Sequence, residues 1–222
     1  MPGTRGGSLK RRRERALALK PILADRYPDL TVSLDWTTPL ELLVATILSA
    51  QCTDVKVNQV TQALFRRYPT ADDYMNADRE ELEELIHSTG FYRNKAKNIQ
   101  GMAQMVVAEH GDRVPDTMDQ LTALPGVARK TANVVLSNAF GRYEGVVVDT
   151  HVKRVAGRLG LTAETDPVKV ERDLMEVLSP EDWHPFPWRM TLHGRQRCHA
   201  RKPDCAGCEL RDLCPSADSF QA

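Results

Sequence analysis

The chain has 222 residues, 41% hydrophobic and 27% charged, an ordinary balance for a folded globular protein and far from a disordered or fibrous one. That length suits one large or two modest domains; 30 basic residues cancel 30 acidic ones, so any anionic partner must meet a local concentration of cations. The most apolar stretch, Leu40 to Ala50, is far shorter than the roughly 20 residues of a membrane-spanning helix, and the Gly-, Lys- and Arg-rich start lacks the apolar core of a secretory signal, so a soluble, cytoplasmic protein is expected.

In chain order, the basic run Lys10, Arg11, Arg12, Arg13 and Arg15 comes first. It reads as a solvated face or frayed arm more readily than as a phosphate contact. Leu82, Leu85 and Ile86, then Ala96, Ile99, Met102, Met105 and Val106, follow helical spacing, with Gly90 and Gly111 as C-caps. Further helix starts are expected at Asp116 before Thr117, at Asp166 before Pro167 and at Ser179 before Pro180. Val146 to Val148 is the one run with strand character, too short and isolated to build a sheet. The fold class is therefore all-α.

Leu121 to Ala132 reads LTALPGVARKTA, a short helix ending at Leu124, a tight Pro125-Gly126-Val127 turn and a second helix beginning near Ala128. This is a helix-hairpin-helix. The glycine tolerates positive φ and close backbone approach, and amides at the second helix start would hold a phosphate without reading a base. Leu124, Gly126, Val127 and Ala128 form that contact. Ala128, Ala132, Val135, Leu136 and Ala139 share one face, so Lys130 points away from the core, either as an ordinary surface lysine or as a nucleophile beside the phosphate site. Asp149 precedes a helix carrying Lys153, Arg154 and Arg158; on local sequence an N-cap is its first reading, and a carboxylate facing a cleft the second.

Four of the five cysteines, Cys198, Cys205, Cys208 and Cys214, form one C-x6-C-x2-C-x5-C loop. A structural zinc usually takes its ligands from two paired motifs, whereas a single loop can wrap one larger object. The spacing favours a [4Fe-4S] cluster and leaves zinc open. Arg195, Arg197, His199, Arg201 and Lys202 lie close by in sequence, either to meet a phosphate backbone or to offset thiolate charge.

The segments LPGVARKTANVVLSNAFG and VVVDTHVKRVAGRLG and the cysteine loop, with LSAQCTDVKVN and STGFYRNKAKNI upstream, together resemble the endonuclease III family of DNA glycosylases over about Pro39 to Cys214. The resemblance implies two helical lobes flanking a DNA cleft, with residues 33–142 as a six-helix barrel carrying the hairpin and residues 1–32 with 143–222 as the iron-sulfur domain. It implies a monomer acting on double-stranded DNA that contains damaged bases or abasic sites. Lys130 would attack the sugar, release an oxidised pyrimidine and form a Schiff base that leads to β-elimination. Asp149 would stabilise charge on the sugar and move protons, and the four cysteines would hold a [4Fe-4S] cluster. Gln51 and Phe91 would enter the gap left by the flipped nucleotide, although on their own they read as a polar helix end and a core aromatic. Three positions depart from the family pattern: Ala128 replaces a second hairpin Gly, Phe91 replaces a Leu wedge, and Cys52 stands where a small residue is common. Lys130 and the end of the chain soon after Cys214 argue against an adenine-mismatch glycosylase of the same superfamily. A non-catalytic DNA-binding module is the alternative from another class.

Overall fold

Polar caps and apolar stripes at helical spacing account for nearly every element. The computed structural model describes residues 7–30 and 33–220, and no strand occurs among them. The all-α expectation holds, and Val146 to Val148 is extended chain without a pairing partner. No helix among the described residues is long and apolar enough to cross a membrane. The chain forms two compact units, Thr31–Glu144 and Met1–Leu30 with Gly145–Ala222, each around its own core.

The Thr31–Glu144 unit contains α2 (Pro39–Leu48), α3 (Asp54–Arg67), the single turn α4 (Ala71–Met75), α5 (Arg79–Ile86), a 3-10 turn (His87–Thr89), α6 (Tyr92–His110), α7 (Met118–Ala123) and α8 (Arg129–Ala139). Helix α2 opens with a capping box between Thr38 and Glu41 and with Pro39 at its first position. It buries Leu42, Leu43, Val44, Ala45, Ile47 and Leu48, as a helix apolar nearly all round must, and packs on α8. Gly111 closes α6 in the left-handed conformation, while Gly90 closes the 3-10 turn rather than α5. The start of α7 is capped at Thr117, one residue later than Asp116.

The other unit holds α1 (Leu9–Arg26), α9 (Thr150–Arg158), α10 (Pro167–Val177) and α11 (Pro185–Gln196). Asp166 and Pro167 start α10 as expected, whereas Ser179 and Pro180 begin only a 3-10 turn. Helix α1 opens with the basic run, and Arg12, Arg13 and Arg15 are bonded within the unit. Arg15 donates to the carbonyls of Leu159 and Gly160 at 3.2 and 3.0 Å, Arg12 to Leu161 O at 3.2 Å, and Arg13 to Glu176 O at 3.0 Å. These side chains meet carbonyls just past the end of α9 and in the last turn of α10, so this part of the run is not a frayed arm, while Lys10 and Arg11 remain exposed. Helices α9 and α11 pack closely because Gly194 has no side chain; a Cβ there would meet His151 Cβ at 2.9 Å.

Candidate active site and cysteine loop

The hairpin forms as the sequence predicts, with α7 ending at Ala123 and α8 starting at Arg129. Gly126 lies at φ 77°, and a Cβ there would stand 2.7 Å from Asn98 Cβ of α6, so both conformation and space require glycine. Gly101 gives Pro125 its seat, since a Cβ at 101 would press on the proline ring at 3.2 Å. Leu124 and Val127 are buried, and their amides bond Leu121 O and Val127's neighbour Leu124 O, both at 3.1 Å. These two residues hold the turn from inside. Among the described residues no backbone acceptor meets the amides of Gly126 and Ala128, so these donors are open at the start of α8.

Ala128 is the N-cap of α8, extended at φ −80° and exposed, and α8 has no side-chain cap. This corrects its placement on the buried face, which Ala132, Val135 and Leu136 form without it. Lys130 is exposed in the first turn of α8, two residues beyond that uncapped start.

Asp149 is the N-cap of α9, as local sequence suggested first. Its Oδ1 accepts the Val152 amide at 2.7 Å, and the hydroxyl of buried Thr191 in α11 lies 3.3 Å from its Oδ2. The Thr191 hydroxyl also lies 3.2 Å from Pro187 O, so the Val152 amide is the contact that fixes the carboxylate, which remains half-buried.

Gln51 and Phe91 share an unusual backbone state. Both are exposed, Phe91 by 65%, and both lie in the left-handed region, at φ 54° and 48°. A non-glycine residue there costs about 1 to 3 kcal/mol, and such strain tends to gather at functional sites. Phe91 is thus not a core aromatic but the N-cap of α6, held out from the surface.

The four cysteines of the loop are unpaired thiols, partly buried around one small cavity of about 20 Å³. Among the described residues no three His, Cys, Asp or Glu side chains converge on a single metal-ion position. Burial pushes the Cys208 thiol up to about 11 and raises Cys214 as well, so their thiolate forms require compensating positive charge. Arg158 supplies part of it: its guanidinium lies 3.2 Å from Cys198 Sγ and also donates to the carbonyls of His199 and Ala200 at 2.7 and 2.9 Å. Arg154 donates to Cys198 O at 3.0 Å. Of the cations near the loop, Arg197 is paired with Asp204 and Glu209, whereas His199, Arg201 and Lys202 are exposed.

Residues 44–180 match the HhH-GPD superfamily of base excision DNA repair proteins. Endonuclease III of Synechocystis sp. is 58% identical over 208 residues, which span 94% of this chain and 95% of that protein. The chain belongs to the endonuclease III family. Endonuclease III of Bacillus subtilis is 47% identical over 193 residues, 86% of this chain and 88% of that one. Among solved structures, a non-covalent endonuclease III–DNA complex matches with a TM-score of 0.87 at 43% identity, covering 93% of this chain and 97% of that chain. A trapped endonuclease III–DNA covalent intermediate matches with a TM-score of 0.88 at the same identity and coverage. The chain is therefore a base excision DNA repair protein of this family.

Two features of this endonuclease III family member escaped the sequence reading. Thr191 has no local signal, because its role comes from α11 passing beside Asp149. Lys95 did leave one. It sits four residues before Ile99 and seven before Met102, on the apolar stripe of α6, where a charged residue signals a buried partner.

Proposed function

We propose that this protein is a bifunctional DNA glycosylase and AP lyase that removes oxidised pyrimidines from duplex DNA and cuts the strand through a lysine Schiff base, acting as a monomer. The observation that carries the reading is Lys130, an exposed amine in the first turn of a helix whose amide donors are left open by the hairpin. A phosphate held by the Gly126 and Ala128 amides brings the adjoining sugar to a fixed place, so attack by Lys130 becomes effectively intramolecular.

The damaged nucleotide is first turned out of the stack, with Gln51 and Phe91 filling the gap. Lys130 Nζ, as the free amine, forms a bond to C1′ as the glycosidic bond breaks, and the base departs with a proton. Breaking of the C1′–O4′ bond then converts this N,O-acetal to an imine, with O4′ taking up the proton that Nζ loses. Loss of a C2′ proton then expels the 3′ phosphate by β-elimination, and hydrolysis returns the amine. Asp149 stabilises positive charge on the sugar and takes part in the proton transfers. Residues 33–142 and residues 1–32 with 143–222 are the two domains of this reading.

Cys198, Cys205, Cys208 and Cys214 are the residues that would hold a [4Fe-4S] cluster, since four thiols of one loop line a single cavity. Such a cluster would supply covalent cross-linking of the loop and the positive charge that the buried thiolates require. The reading is tested by incubating the protein with duplexes carrying an oxidised pyrimidine, an abasic site or no lesion. Base release with a β-elimination end on the first, strand cleavage on the second and neither on the third are expected; base release without strand cleavage would remove the lyase assignment.

A further inference from the structure

Lys95 is a buried lysine that the catalytic reading does not use. The residue is only 4% exposed, yet among the described residues no carboxylate is placed at its ammonium. Burial lowers its affinity for a proton below that of an ordinary lysine, so its charged form needs a reason to be there. Its contacts supply one. Lys95 Nζ donates to Leu48 O and to Thr89 O, each at 2.8 Å. Leu48 is the last residue of α2, three before Gln51, and Thr89 is the last residue of the 3-10 turn, two before Phe91. The Lys95 amide meanwhile donates to Phe91 O at 3.1 Å. One residue thus ties together the two left-handed turns that hold Gln51 and Phe91 outward. A backbone conformation that costs about 1 to 3 kcal/mol at each position persists only where the surroundings over-determine it, and a charge-assisted pair of hydrogen bonds in a dry core is suited to that.

We infer that Lys95 is a positioning residue that fixes the spacing of the Gln51 and Phe91 turns, so that the two side chains enter the gap in the duplex as a unit. The inference rests on the gap-filling role proposed above. Because the ammonium never meets DNA in this account, its loss should spare contact with an intact duplex and weaken only the form of binding that needs both turns in register.

The test uses Lys95→Met, which keeps the stem and removes the donors, and Lys95→Gln, a milder variant that keeps a neutral donor. Both are assayed below their melting transitions on a duplex with a tetrahydrofuran abasic analogue and on an undamaged duplex. Affinity for the analogue should fall about tenfold in Lys95→Met and less in Lys95→Gln, with the undamaged duplex changing less than about twofold. A 2-aminopurine opposite the analogue should lose the fluorescence gain that reports its unstacking. In a Gln51→Ala, Phe91→Ala background, Lys95→Met should have no further effect on analogue binding. Equal weakening on both duplexes, or an undiminished Lys95→Met effect in that background, would overturn the inference and mark Lys95 as merely structural. If the Gln51→Ala, Phe91→Ala protein itself binds the analogue as tightly as the parent, the gap-filling reading fails and this inference falls with it.

Discussion

Helix α8 begins on Ala128, whose side chain accepts no hydrogen bond, whereas α9 begins on Asp149, whose carboxylate takes the Val152 amide at 2.7 Å and sits beside the Thr191 hydroxyl. Both helix starts carry the positive end of a dipole. At one no side chain meets the donors, and at the other the chain supplies the anion itself. The contrast shows that the same fold leaves one helix start without a side-chain cap and supplies a carboxylate to another. Lys130 is exposed in the first turn of the uncapped helix, while Asp149 is half-buried and held by the Val152 amide.

The largest expected effect on that contrast is at Asp149. Asparagine is an equally good N-cap, so Asp149→Asn should leave melting temperature and DNA binding nearly unchanged while single-turnover cleavage falls by roughly a hundredfold or more. An unchanged rate would reduce Asp149 to a cap. Next comes the cysteine loop, which Arg154 and Arg158 tie to α9. The purified protein should contain about four irons with sulfide per chain, and Cys214→Ala should lower hydrogen-exchange protection in α9 and α11 while sparing α2 and α8. A colourless, active protein with stoichiometric zinc would contradict the cluster assignment.

The smallest effects are at Ala128, where the two helix starts can be made alike. Ala128→Asp gives α8 the cap that α9 has, so stability should rise by about 1 kcal/mol while affinity falls alike for damaged and undamaged duplexes. A loss confined to damaged DNA would argue against a backbone-directed contact. Ala128→Gly should instead bind all duplexes slightly more tightly. Because Ala128 is extended and outside the helix, the usual penalty of glycine within a helix does not apply, and melting temperature should hold or rise a little. Affinity unchanged or reduced would show that the methyl group is no obstacle.

Much of this was legible in the sequence because it depends on local chemistry. Apolar spacing gave the helices, Pro125 and Gly126 the hairpin, and Asp166 with Pro167 a helix start, since each is decided within a few residues. What stayed hidden depends on distant partners. The basic run looked solvated because the carbonyls it meets lie in α9 and α10, more than a hundred residues away. Phe91 looked like a core aromatic because hydrophobicity says nothing about the left-handed turn that turns it outward. Asp116 was the expected cap, and the backbone path makes Thr117 the cap instead.

The central claim is that Lys130 is the amine that attacks the sugar. Its most direct test is borohydride trapping on an abasic duplex with the parent protein, Lys130→Gln and Asp149→Asn side by side. The parent should give a covalent protein–DNA adduct, with the attachment mapping to Lys130 by peptide mass. Lys130→Gln should give none while still binding the duplex, and Asp149→Asn should give adduct more slowly. An adduct formed as readily by Lys130→Gln, or mapped to another amine in the parent, would contradict the account.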